Sequence, residues 1–120
     1  MSAEQEEAAG RAAPGRTAIV GSRGRMGAML LARARAAGLD VTGVDQPLTP
    51  AALKAALAGA ELVLLCVPAA VFAEVAQAVT GELTPGAILA DITSVKERPL
   101  RQMERLWNGP VVRTHPLCGP

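Results

Sequence analysis

His115 is the one histidine in a chain of 120 residues, and it sits between Thr114 and Pro116. An imidazole titrates near neutrality, so it can take a proton from a hydroxyl at physiological pH and give it back. Ser94 lies upstream in the run Asp91-Ile-Thr-Ser-Val-Lys96, where its hydroxyl can donate or accept a hydrogen bond. Lys96 adds a cation that either attracts carboxylates or stays in water. From residue type and position alone, His115 is either a base or a structural histidine before a proline, and Ser94 either a substrate contact or the cap that opens Ser-Val-Lys-Glu97. A second segment, Gly21-Ser-Arg-Gly-Arg-Met-Gly27, has the chemistry of a phosphate loop. Aligned to G-x-G-x-x-G, Ser22 replaces the first glycine, Gly21 precedes it, and Gly24 and Gly27 fall in register. Gly24 lets the backbone approach a pyrophosphate, Gly27 lets a helix pack close to a strand, and the amides around Arg25 and Met26 face the anion. Arg23 and Arg25 either touch phosphates or are simply exposed. Asp45 follows roughly 20 residues later, where an acid accepts hydrogen bonds from an adenosine ribose; this favours NAD over NADP.

Regular alternation of elements is what would bring these segments together. A strand over 17–20 enters the glycine loop, and a helix over 26–37 follows, with Met26, Met29, Leu30 and Ala34 on one face and Gly38 as its stop. A second strand covers 41–44. Thr49 reads as an N-cap and Pro50 as the first residue of a helix that ends before Gly59. The unbroken apolar run over 62–67 has the character of a strand buried on both faces. Val71, Val75 and Val79 mark the next helix, 87–92 the next strand, and Leu100, Met103 and Trp107 a last helix that begins with Pro99 at its first position. A final strand covers 111–114. Strands alternating with helices imply a parallel sheet with right-handed crossovers. The expected fold is therefore α/β: a Rossmann-type, doubly wound parallel sheet in three α/β/α layers. Its ligand crevice lies beyond the carboxyl ends of the strands, where Cys66-Val67-Pro68, 91–96 and 114–116 meet.

Composition narrows the function classes. Half the chain is hydrophobic but only 2% is aromatic, so the core is aliphatic. Twelve basic and eleven acidic side chains leave a net charge of +1, which offers neither the basic excess nor the stacking platforms of a nucleic-acid binder. No apolar stretch reaches the roughly 20 residues of a membrane span. Residues 1–16 are polar, lack the apolar centre of a secretory signal, and are expected to be a disordered tail before a domain over 17–120. Cys66 and Cys118 form neither a disulfide framework nor a metal-ligand pattern, so no metal is expected and a cytoplasmic setting is. Cys66 reads as a core residue, and Asp91 as an organiser of its turn.

The set GSRGRMG, LLCVP, DITSVKERPL and THPLCGP, in this order and spacing, resembles the nicotinamide domain of the prephenate dehydrogenases, a family that includes arogenate dehydrogenases. The resemblance runs from about Thr17 to the end of the chain. It implies oxidative decarboxylation of prephenate by NAD to 4-hydroxyphenylpyruvate, CO2 and NADH, in tyrosine biosynthesis. His115 matches the family base on the ring hydroxyl, Ser94 the serine that helps hold that hydroxyl, and Val67 and Pro68 a segment lining the cofactor site. The family carries a second, mostly helical domain that supplies a homodimer interface and further substrate contacts, and no counterpart occurs in this sequence. The expectation is an isolated cofactor domain that binds NAD weakly and turns over prephenate negligibly. Two other readings fit parts of the sequence. The glycine loop also looks like that of dihydrodipicolinate reductase, whose own substrate motif is missing here. A non-catalytic nucleotide-binding or interaction module would keep the fold without the chemistry.

Overall fold

The computed structural model describes residues 15–92 and 98–113. Ser94, Lys96, His115 and Cys118 lie outside the described residues, as does nearly all of the segment read as a tail. The described chain runs β1 (Arg16–Val20), α1 (Arg25–Ala36), β2 (Val41–Val44), α2 (Pro50–Leu57), β3 (Ala60–Leu65), α3 (Phe72–Thr80), β4 (Ile88–Asp91), α4 (Arg98–Leu106) and β5 (Val111–Arg113). Their sheet is parallel throughout, in the order β2-β1-β3-β4-β5.

Local chemistry accounts for most of the boundaries. The Thr49 hydroxyl accepts the Ala52 amide at 3.1 Å and Pro50 opens α2, the expected cap and first residue. Gly38, at φ +78°, ends α1 in the left-handed region, and its amide reaches the Arg35 carbonyl at 3.0 Å. Arg33 and Arg35 sit in that last turn, where cations favour the helix dipole. A single 3-10 turn, Ala69–Val71, precedes α3. Helix α4 begins at Arg98, one residue before the expected start at Pro99. Trp107 follows α4 and donates its indole N–H to the Ala87 carbonyl at 2.8 Å, which ties the helix end to the start of β4.

Strand β1 starts at Arg16, one residue inside the expected tail. Its guanidinium donates to the Ala58 carbonyl at 2.9 Å and to the Thr42 hydroxyl at 3.1 Å. The Gly15 amide donates to Glu61 at 2.9 Å. Polar anchoring, invisible to an apolar pattern, extends the strand.

Reversal of the strand order at β1 sends the crossovers to opposite faces. Helices α2, α3 and α4 cover one face, where Ala18, Val20, Val63, Leu65 and Leu89 meet Leu53, Leu57, Phe72, Val75, Val79 and Met103 in one buried cluster. Helix α1 lies on the other face, over Thr17 and Ile19, leaving a groove lined by Leu30, Ala34, Leu62 and Leu64. This corrects the expectation for 62–67. The strand is Ala60–Leu65, and only alternate residues are fully buried: Val63 and Leu65 are, whereas Leu62 and Leu64 are half-buried. Among the described residues one helix lies on this face, and it packs on β1 and β2 and not on the far half of the sheet.

Candidate functional site

The carboxyl ends of β1, β2 and β3 open into one cleft of about 500 Å3. Gly21, Arg23 and Gly24 form one wall, Asp45, Gln46 and Leu48 a second, and Cys66, Val67, Pro68 and Val71 the third. The first wall exists because glycine is obligatory there. Gly21 has φ +90°, and a Cβ on it would overlap the Cys66 carbonyl. A Cβ on Gly27 would overlap the Gly21 carbonyl, so α1 approaches its own entry loop closer than any side chain permits. The loop is pinned to β2 by the Gly21 and Ser22 amides, which both donate to the Val44 carbonyl at 2.8 and 3.2 Å. Across from it, the Cys66 amide donates to the Val20 carbonyl at 2.8 Å.

Helix α1 has Gly24 as its N-cap, in extended conformation and with no side chain to take a first-turn amide. Those amides and the positive end of the dipole are left for an anion. Asp45 closes the opposite rim. Its Oδ2 accepts the Arg23 amide at 2.8 Å and its Oδ1 accepts the Gln46 amide at 2.7 Å. The carboxylate is thus fixed between loop and strand end, with lone pairs left for a ligand hydroxyl. Arg23 also donates through Nη2 to the Gln46 carbonyl.

On the third wall, burial and then the nearby Asp91 charge push the Cys66 thiol up to about 12, so it is a neutral surface and not a nucleophile. Asp91 is itself fully buried, at the end of β4 beside Leu65.

Of the expected cofactor residues, Gly21, Arg23, Gly24, Asp45, Val67 and Pro68 meet at this cleft. Ser22 is half-buried against Gly43 behind the loop. Arg25 is exposed, Met26 half-buried, and Gly27 buried behind the wall it shapes. Cys66 is a correction: it is half-buried on the cleft wall and not a core residue. Sequence reasoning missed Gln46, Leu48 and Val71; the signal for them was adjacency to Asp45 and to the 67–68 segment. Ser94, Lys96 and His115 lie outside the described residues. Among the described residues no group of three His, Cys, Asp or Glu could hold a metal ion. None of their helices is long and apolar enough to cross a membrane.

Residues 31–120 match the family model described as "Prephenate dehydrogenase, nucleotide-binding domain". The chain belongs to this family. The family match begins after the glycine loop, so the loop geometry is independent support for nucleotide binding. The domain is 34% identical over 101 residues to the T-protein of Haemophilus influenzae, covering 84% of this chain and 26% of that protein. It spans, then, about a quarter of that relative's length. Among solved structures, the arogenate dehydrogenase of Synechocystis superposes with a TM-score of 0.68 at 25% identity, covering 81% of this chain and 39% of that one. The prephenate dehydrogenase of A. aeolicus, in complex with hydroxyphenyl propionate and NAD+, superposes with a TM-score of 0.58 at 20% identity, covering 88% and 43%. The second likeness speaks to the fold alone.

Proposed function

We propose that the chain is the NAD-holding part of a dehydrogenase acting on prephenate or arogenate, with the adenosine diphosphate of the cofactor gripped between the glycine loop and Asp45. The observation that carries this reading is the Asp45 carboxylate, fixed by two amides across the cleft mouth from the uncapped start of α1. A diol at one end and a pyrophosphate at the other match that pair of anchors. The groups fit the cofactor by shape as well: Gly24 lines the cleft with no side chain before the first-turn amides, and Gly21 and Gly27 allow the close backbone packing that shapes the loop.

Val67 and Pro68, on the cleft wall, would line the site of the cofactor, which when bound would supply the hydride acceptor. His115 then takes the proton of the substrate ring hydroxyl, and Ser94 holds that hydroxyl in hydrogen bond with it. Lys96 attracts the substrate's carboxylates. Loss of the ring carboxylate as CO2 follows from aromatisation and asks only for positioning. Neutral Cys66 keeps the wall beside the cofactor uncharged. The full reaction belongs to a longer protein of the T-protein kind, of which this chain spans the cofactor part; that protein is read as a homodimer in the cytoplasm.

NADH fluorescence titration of the 120-residue chain tests the reading. Saturable binding is expected, competed by ADP-ribose and not by nicotinamide mononucleotide, because the described grip is on the adenosine side. No saturable binding of NADH or NADPH would sink it and favour an interaction module. Turnover of prephenate by this chain alone is expected to be negligible.

A further inference from the structure

We propose that residues 2–13 form a short helix that docks in the groove beside α1 and covers part of the half-open face of the sheet. The inference is independent of the cofactor reading, because the chain enters this groove from the end of the sheet opposite the cleft.

The groove holds about 320 Å3 and is lined by Thr17 and Ile19 of β1, Leu62 and Leu64 of β3, and Leu30 and Ala34 of α1. Leu30, Leu62 and Leu64 are half-buried, and Leu39, also on its wall, is 40% exposed, so aliphatic surface meets water here. Position selects the occupant. Gly15 stands two residues before Thr17, and its amide donates to the Glu61 carboxylate at 2.9 Å, next to Leu62. The chain leading into β1 therefore arrives at the amino end of the same two strands that floor the groove. Arg113, the last described residue, stands instead at the carboxyl end of the edge strand β5, two strands away from β3.

The segment has the local chemistry of a helix of matching length. Ser2 and Gln5 are spaced as a capping box, Glu4 falls in the first turn, Arg11 near the last, and Pro14-Gly15 makes a stop. The alanines, Glu and Gln between them are strong helix formers. Twelve residues make a helix of about 18 Å, against about 17 Å for the five residues of β1. A helix running back along β1 thus spans the strand before the chain turns at Gly15. At about 100° per residue, Gln5, Ala8, Ala9 and Ala12 share one face, while Ala3, Glu7 and Gly10 point the other way. Small side chains on the inner face let such a helix sit low between Leu30 and Leu64. Charge agrees: Arg33 is the one charged residue among the described groove lining, and the segment brings Glu4, Glu6 and Glu7 against a single Arg11. By itself a helix this short, with a glycine inside it, is marginal, which is why its composition reads as a tail. The groove offers the apolar burial that propensity alone lacks.

The test is hydrogen exchange of the complete 120-residue chain, compared with a synthetic peptide of residues 1–14. Amides of residues 5–13 are expected to exchange at least about tenfold more slowly in the chain than in the peptide, at every protein concentration. Ala8→Glu/Ala12→Glu places two carboxylates on the docking face and is expected to abolish that protection. Ala3→Glu, on the outward face, is expected to keep it. Both variants lie outside the sheet and its helices, and urea denaturation establishes that the domain stays folded in each. Peptide-like exchange of residues 5–13 in the wild type would overturn the proposal. So would protection that survives Ala8→Glu/Ala12→Glu, because glutamate leaves a helix standing clear of the groove undisturbed. Protection that rises with protein concentration would give the groove to a second copy of the chain and overturn it as well.

Discussion

The two faces of the sheet are built from the same aliphatic residues, yet they bury them to different depths. On one face three helices, α2, α3 and α4, close over Val20, Val63, Leu65 and Leu89, each of them fully buried. On the other, where α1 is the one helix among the described residues, Leu62 and Leu64 are half-buried and Ile88 and Val112 exposed, Val112 by 43%. Register makes the contrast sharp, because Leu62 pairs with Ile88 and Leu64 with Ala90 in the same strands that carry Val63 and Leu65. The first face holds the fold together. The second places α1, and with it the start of the helix that faces the cleft.

That division is most directly broken by truncating neighbours in β3. Leu65→Ala empties a site with no solvent exposure, and urea denaturation should report a loss of about 3 kcal/mol. Leu62→Ala, on the half-covered face, should cost no more than about 1 kcal/mol. Equal losses would mean that the two faces contribute alike. Gly27→Ala attacks the junction between them, since the added Cβ meets the Gly21 carbonyl. About 2 kcal/mol of destabilisation is expected from the forced backbone shift, together with at least tenfold weaker NADH binding. An alanine variant with unchanged affinity would remove the close approach from the account of the cleft.

Sequence patterns reached some of these features and not others, for physical reasons. Helix α2 was legible to its first residue because Thr49 and Pro50 act through their nearest neighbours. That the glycine loop and Asp45 meet at one cleft was legible because the steric demand of the loop and the end of the second strand are both set locally. The end of β3 was not, since Leu62 to Val67 is uniformly apolar while the strand stops at Leu65 and the next residues turn outward to wall the cleft. An apolar run cannot distinguish core from pocket lining. Nor could it reveal the half-open face, which depends on where the crossovers go. The amide of Arg23 on Asp45 joins residues from different elements, and only the folded loop brings them together.

The smallest effect concerns the cleft wall and depends on pH. Cys66 is held protonated up to about 12 in the fold, whereas an unfolded thiol loses its proton near 9. A raised folded pKa means that this contribution is fully present below pH 9 and is lost as pH rises from 9 towards 12. Over that window the unfolded chain binds fewer protons than the folded one, so stability falls with pH. By pH 10 the loss should be about 1 kcal/mol, allowing for the partial exposure of the residue. Cys66→Ala removes the titrating group, so subtracting its denaturation curves at pH 8 and pH 10 from those of the wild type isolates this one contribution. A wild type and variant that lose stability in parallel would mean that the thiol ionises freely, and that this cleft wall is wetter than the surface around Val67 and Val71 implies.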